Sequence, residues 1–189
     1  MTELQSENRD HASAAEQSQR PPFLLGPLTH VGLGAALLTL VLDQLSKFYL
    51  IFVFDLASRG LVPILPWVDL TLTWNTGISF SLFQQDGELG RWLLFAAKLT
   101  AVGLLWVWLA RAGSRLTAVA LGLIIGGALG NAADRLLYGA VADFVFFHIT
   151  TQSWEFRWYV FNLADAAIVA GVVGLVYESL FLERAAKAP

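Results

Sequence analysis

Gly126-Gly127-Ala128-Leu129-Gly130-Asn131-Ala132-Ala133-Asp134-Arg135 begins as part of an apolar helix and ends as a knot of polar side chains. Gly122, Gly126 and Gly130 recur every fourth residue, so they share one helix face and let a neighbouring backbone approach closely. Asp134 continues that series one turn later. Asn131, Asp134 and Arg135 stand at i, i+3 and i+4, which gathers an amide, a carboxylate and a guanidinium on one side. In lipid such a cluster needs partners, and it marks a functional site by default. Asp143 follows in Val141-Ala142-Asp143-Phe144, and a second Asn-x-x-Asp pair, Asn162 and Asp165, opens the last apolar segment.

Working outward, four apolar segments, 29–50, 91–110, 116–137 and 159–182, are each long enough to cross a hydrocarbon core, which takes about 20 helical residues. The chain of 189 residues is 56% hydrophobic and only 14% charged, below the roughly one quarter charged residues of soluble domains. These features predict one polytopic, all-α membrane domain over 23–189 with four transmembrane helices. Residues 1–22 are polar, end in Pro21-Pro22, and read as a disordered tail. The absence of cysteine excludes disulfides, thiol catalysis and Cys-bound zinc. His11, His30 and His148 show no metal-ligand spacing, so no metal and no cofactor are expected. A net charge of −3 gives no basis for a nucleic-acid partner.

Four crossings put both termini on one side. That side holds Arg9, Arg20, Arg111, Arg115, Arg184 and Lys187, against Arg59, Arg91 and Arg157 in the opposite connections once Lys47, Lys98 and Arg135 are assigned to the membrane and its polar clusters. Both termini are therefore expected in the cytoplasm. Asp43, Asp134 and Asp165 then fall at one depth, near the outer surface. Between the first two helices, Val68, Leu70, Leu72 and Trp74 alternate with polar residues, as do Ile78, Phe80 and Leu82 after Asn75-Thr76-Gly77. This period of two predicts a β-hairpin, a small extracytoplasmic sheet lying on the membrane. The 139–158 connection, with Phe144, Phe146, Phe147, Trp154, Phe156 and Trp158, reads as an aromatic loop suited to the headgroup region.

Two carboxylates held a few ångströms apart cannot both ionise easily, so Asp143 and Asp165 would share a proton, one acting as base and the other as acid. The competing reading is that they cap helices or pair with Arg135. Ser46 and Lys47, being adjacent, point about 100° apart and cannot act as a serine–lysine pair. Lys47 reads instead as an interfacial lysine reaching to water, as does Lys98. The third helix is expected to pack its glycines on a seam of Ala166, Ala170 and Gly174 in the fourth.

Five stretches occur in a telling order: Asp43-Gln44-Leu45-Ser46-Lys47, Asn75-Thr76-Gly77-Ile78-Ser79-Phe80-Ser81, Gly127 to Arg135, Val141-Ala142-Asp143-Phe144 and Phe161-Asn162-Leu163-Ala164-Asp165. Together, across about 29–182, they resemble the motif series of the bacterial lipoprotein (type II) signal peptidases. Ile78-Ser79 stands where that family often has two alanines, and the connection from Asp143 to Asp165 is slightly long. The resemblance implies a four-helix inner-membrane aspartyl endopeptidase with a small extracytoplasmic sheet, or cradle. Its substrates would be diacylglyceryl-modified prolipoproteins, cut just before the lipidated cysteine. It further implies Asp143 and Asp165 as the catalytic pair, with Asp43, Asn75, Asn131, Asp134, Arg135 and Asn162 shaping the site and holding substrate. Membrane lipids and lipidated prolipoproteins are the expected partners. A proton-coupled carrier would also use intramembrane aspartates, but carriers place them near the midplane and often show internal repeats; here the carboxylates gather at one end and no repeat is visible.

Overall fold

The computed structural model describes residues 24–76 and 88–182. The expected 1–22 tail and the hairpin's second half, 78–82, lie outside these residues, as does the side chain of Lys98. Helix α1 spans Thr29–Phe48 and runs on through a wider π-helical turn, Tyr49–Val53; a short α2, Leu56–Arg59, follows. Helices α3 (Glu88–Ala110), α4 (Arg115–Tyr138) and α5 (Leu163–Tyr177, extended by a π-turn over Glu178–Leu182) follow. Four strands, β1 (Val62–Leu65), β2 (Val68–Asn75), β3 (Val141–Thr150) and β4 (Glu155–Arg157), form an antiparallel sheet in the order β1-β2-β3-β4.

Among the described residues, three helical spans, Thr29–Val53, Arg115–Tyr138 and Leu163–Phe181, are long and apolar enough to cross a membrane. Their outward faces carry large apolar side chains, such as Leu37, Leu38, Val169 and Val173, each more than half exposed. In water this would be a liability; facing acyl chains it is the stable arrangement. Helix α4 is the central element, packed against both α1 and α5 and touching α3. Ser114 starts it by accepting a hydrogen bond from the Thr117 amide at 3.0 Å, and Gly139 ends it in the left-handed region at φ 74°.

The glycine series corrects one expectation. Gly122 and Gly126 lie on α1, not α5: a Cβ on Gly122 would meet the Gly32 carbonyl and Ala35, and one on Gly126 the Ala36 carbonyl and Thr39. The mate of α5 is the adjacent stripe of α4. A Cβ on Gly127 would lie 2.5 Å from the Ala164 carbonyl, and one on Gly171 would lie 2.5 Å from that of Ala120. Ala166 and Ala170 are exposed, while Gly174 does face α4, toward Ala120 and Leu116. Close backbone approach is thus achieved on two faces of one helix, which is why α4 needs glycine at successive positions 126 and 127.

The sheet contains the first strand of the expected hairpin, β2, and extends beyond it. β2 pairs with β1, through Val62↔Leu70, and with β3, through Val68↔Phe147 and Asn75↔Val141. The supposed aromatic loop is therefore mostly strand. Its first four residues, Val141 to Phe144, are all buried, so it lacks the one-sided alternation that betrays a strand. A register shift between Leu70 and Thr73 separates two stretches of β2–β3 pairing.

Candidate active site

The polar residues converge where the second ends of α1 and α4 meet the start of α5 and the first half of β3. Asp143 sits on β3 opposite Thr73 and is 2% exposed. Because side chains two apart share a face, Asn75 reaches diagonally across the ladder, and its amide donates to Asp143 Oδ2 at 3.0 Å. The other oxygen of Asp143 accepts from Asn162 Nδ2 at 2.7 Å. Phe161 fixes this second contact: its carbonyl accepts from the Phe144 and Val145 amides, and its own amide donates to the Val145 carbonyl.

Asn162 is also the N-cap of α5. Its side-chain oxygen accepts from the Asp165 amide at 3.0 Å, while Asp165 Oδ2 accepts from the Asn162 amide at 3.2 Å, a reciprocal capping box. Asp165 Oδ1 accepts from Asn131 Nδ2 at 2.8 Å. Asn162 Nδ2 also donates to Asn131 Oδ1 at 3.0 Å. Asp143 and Asp165 are therefore linked through two amides: carboxylate, Asn162, Asn131, carboxylate. Asp165 does cap its helix, as the competing reading held, yet one of its oxygens faces the shared network.

A second layer lies beneath. Asp43 and Asp134 are fully buried, and Lys47, expected to reach water, is 2% exposed. Its ammonium lies 2.8 Å from both Asp43 Oδ2 and Asp134 Oδ2. Gln44 Nε2 bridges the same two carboxylates at 3.1 and 2.9 Å. Arg135, by contrast, turns its guanidinium to the Asn131 carbonyl of its own helix at 3.0 Å, within electrostatic reach of Asp143, Asp165 and Asp134. The sequence reading gave Gln44 no role of its own and sent Lys47 to water. The signal was present, since Asp43 and Lys47 are spaced i, i+4 on one helix.

Burial raises the Asp143 carboxyl above the ordinary carboxylate range. The Asn75 hydrogen bond opposes that shift, the neighbouring Asp165 charge reinforces it, and Asn162 and Lys47 oppose it again. A carboxyl so placed, beside a partly exposed second carboxylate, suits proton transfer at the edge of the bundle. Among the described residues no group of three or more His, Cys, Asp or Glu side chains is arranged to hold a metal ion.

Fold and site together define a multi-pass membrane protein whose helical bundle ends in a buried cluster of carboxylates and amides. The chain belongs to the signal peptidase II family, whose model, described as signal peptidase (SPase) II, matches residues 35–181. Membership makes it a peptidase. It is similar to the lipoprotein signal peptidase of Nitrobacter hamburgensis, 54% identical over 158 residues, 84% of this chain and 96% of that protein. It is similar also to the lipoprotein signal peptidase of Methylorubrum extorquens, 60% identical over 149 residues, 79% of this chain and 85% of that one. In fold it resembles a bacterial membrane enzyme solved by the in meso method, with a TM-score of 0.61, 22% identity, and coverage of 79% of this chain and 92% of that structure.

Proposed function

We propose that this chain is an aspartyl endopeptidase that removes signal peptides from diacylglyceryl-modified prolipoproteins, cutting just before the lipidated cysteine. The observation that carries the reading is the amide bridge joining Asp143 to Asp165 through Asn162 and Asn131. Two carboxylates held in one network can divide the acid and base roles between them. The ionised member takes a proton from a water, which attacks the scissile carbonyl carbon. The protonated member donates to the carbonyl oxygen, giving a neutral tetrahedral diol. Collapse of the diol reforms the carbonyl, breaks the C–N bond and returns a proton to the leaving amine. No metal or cofactor enters these steps.

Asn131 and Asn162 keep both carboxylates oriented without neutralising them, since an amide supplies a hydrogen bond but no charge. Asn75 stands beside Asp143 at the end of β2, where it can steady an extended substrate backbone. Asp43, Asp134 and Arg135 support this arrangement from within the bundle. Helix α3 supplies a fourth crossing, both termini lie in the cytoplasm, and the site opens near the outer face of the inner membrane. There water is available, and a diacylglyceryl group held in the bilayer brings its cysteine to the same depth.

The test is cleavage of a synthetic prolipoprotein peptide bearing diacylglyceryl-cysteine by the purified full-length chain, with products identified by mass. Asp143→Asn and Asp165→Asn are each expected to abolish turnover, because the isosteric amide cannot share the proton. Near-normal turnover by either folded variant removes the pair from the mechanism.

A further inference from the structure

Lys47 has every N–H bond taken within the cluster and is left without a role by the chemistry above. Its three N–H bonds face three acceptors: Asp43 Oδ2 at 2.8 Å, Asp134 Oδ2 at 2.8 Å and Asn131 Oδ1 at 3.3 Å. Each of these continues to one of the two carboxylates proposed to do the work. Asp43 Oδ1 accepts from the Ala164 amide at 3.0 Å, and Ala164 immediately precedes Asp165. Asp134 Oδ2 accepts from the Ala142 amide at 3.1 Å, and Ala142 immediately precedes Asp143. Asn131 holds Asp165 directly through Nδ2. With Lys47 and Asn162 both donating to its oxygen, the Asn131 amide has only one workable orientation, the one that turns Nδ2 to Asp165.

We infer that Lys47 is a positioning residue: one buried ammonium on α1 sets the spacing of Asp143 and Asp165 by pinning the backbone before each and fixing the amide between them. The inference rests on the catalytic reading of that pair. A neutral group in its place would leave Asp43 and Asp134 as two buried like charges with no cation between them, free to push apart and carry the backbone before each catalytic carboxylate with them. The charge also acts on the pair directly, drawing the Asp143 carboxyl downward against burial. The charged groups around it are Asp43 on α1, Asp134 and Arg135 on α4, Asp143 on β3 and Asp165 on α5.

Two variants of the full chain separate positioning from plain stabilisation. Lys47→Met is expected to lose stability; Lys47→Met with Asp43→Asn restores the charge balance, since Asn can still accept from Ala164. In that double variant Tm is expected to recover while kcat stays low, by about 100-fold, as for a misplacement of about 1 Å, with KM changed by less than about threefold. The acid limb of its kcat/KM profile is expected to move to higher pH, because a cation has been removed from beside the pair. A double variant with normal Tm, wild-type kcat and an unmoved acid limb would overturn the inference, leaving Lys47 a stabilising ion only. Failure of the double variant to fold would overturn it as well, since the cation would then be indispensable to the bundle itself. The two readings fail separately: active Asp143→Asn or Asp165→Asn variants refute the catalytic pair, whereas dead aspartate variants beside a normal Lys47 double variant refute only the role of the lysine.

Discussion

Replacing Gly126 by alanine adds a single methyl group one turn from the site, and its effect can be worked from the seam. The new Cβ would lie 2.8 Å from Thr39 Cβ and 3.0 Å from the Ala36 carbonyl carbon, where ordinary contact begins at 3.4 Å. Helix α1 would therefore have to withdraw by about half an ångström or more, and the obstacle includes backbone, which cannot rotate aside. Overpacking of this kind costs about 1–3 kcal/mol, against a gain of about 1 kcal/mol in helix propensity from glycine to alanine. A net loss of up to about 2 kcal/mol corresponds to a fall of up to about 8 °C in Tm for a chain of this size. Withdrawal of α1 also carries Asp43 and Lys47 away from Asp134, so activity is expected to fall along with stability. Two controls calibrate the measurement. Among the described residues, a methyl added at Gly34 would have nothing within 4 Å, and one at Gly174 would meet only Ala120 Cβ at 3.3 Å and Leu116 at 3.8 Å. Gly34→Ala is expected to leave Tm unchanged or raise it, and Gly174→Ala to shift it little. The assay is thermal unfolding of purified protein in one detergent, with peptide cleavage measured in parallel. A Gly126→Ala variant as stable as its Gly34→Ala counterpart would refute the α1–α4 seam.

Three further outcomes follow from the site. Asn75→Ala removes a hydrogen bond that holds the Asp143 carboxyl down, so the acid limb of kcat/KM is expected to move to higher pH; an unmoved limb would separate Asn75 from the chemistry. Asn162→Ser keeps a good N-cap but cannot bridge Asp143 to Asn131, so stability is expected to hold within about 1 kcal/mol while turnover falls at least tenfold; equal losses in both would make Asn162 a cap alone. A peptide carrying diacylglyceryl-cysteine is expected to be cut far faster than the same peptide with free cysteine, and equal rates with both fully dissolved would take the lipid out of recognition.

The helices and the polar residues were legible because each has a local cause. Long apolar runs need no partner to be recognised, and carboxylates or amides at their ends are conspicuous. What was not legible was which surfaces meet. A stripe of Gly122, Gly126 and Gly130 says that a backbone comes close but not whose, and α5 offers two overlapping sets of small residues, of which Ala164, Gly171 and Gly174 are the packed one. Lys47 was misread for a related reason: a lysine near a helix end usually reaches water, and only Asp134, far along the chain on α4, closes that route by completing the buried pair. β3 was hidden by burial on both faces, which erases alternation, and β1 by its length of four residues and its Pro63.

With Asp165 in the proposed catalytic role, the reciprocal cap it makes with Asn162 ties the reaction to the firmness of one helical turn. Helix ends are the first parts of a fold to open as temperature rises, and the first turn of α5 is closed by the carboxylate that would perform hydrolysis. Fraying there would swing Asp165 out of register with Asp143 long before the glycine seams part. Gentle heating would therefore silence the enzyme reversibly while its bundle is still intact, so that activity lost on warming returns on cooling, up to the point where α1 and α4 separate.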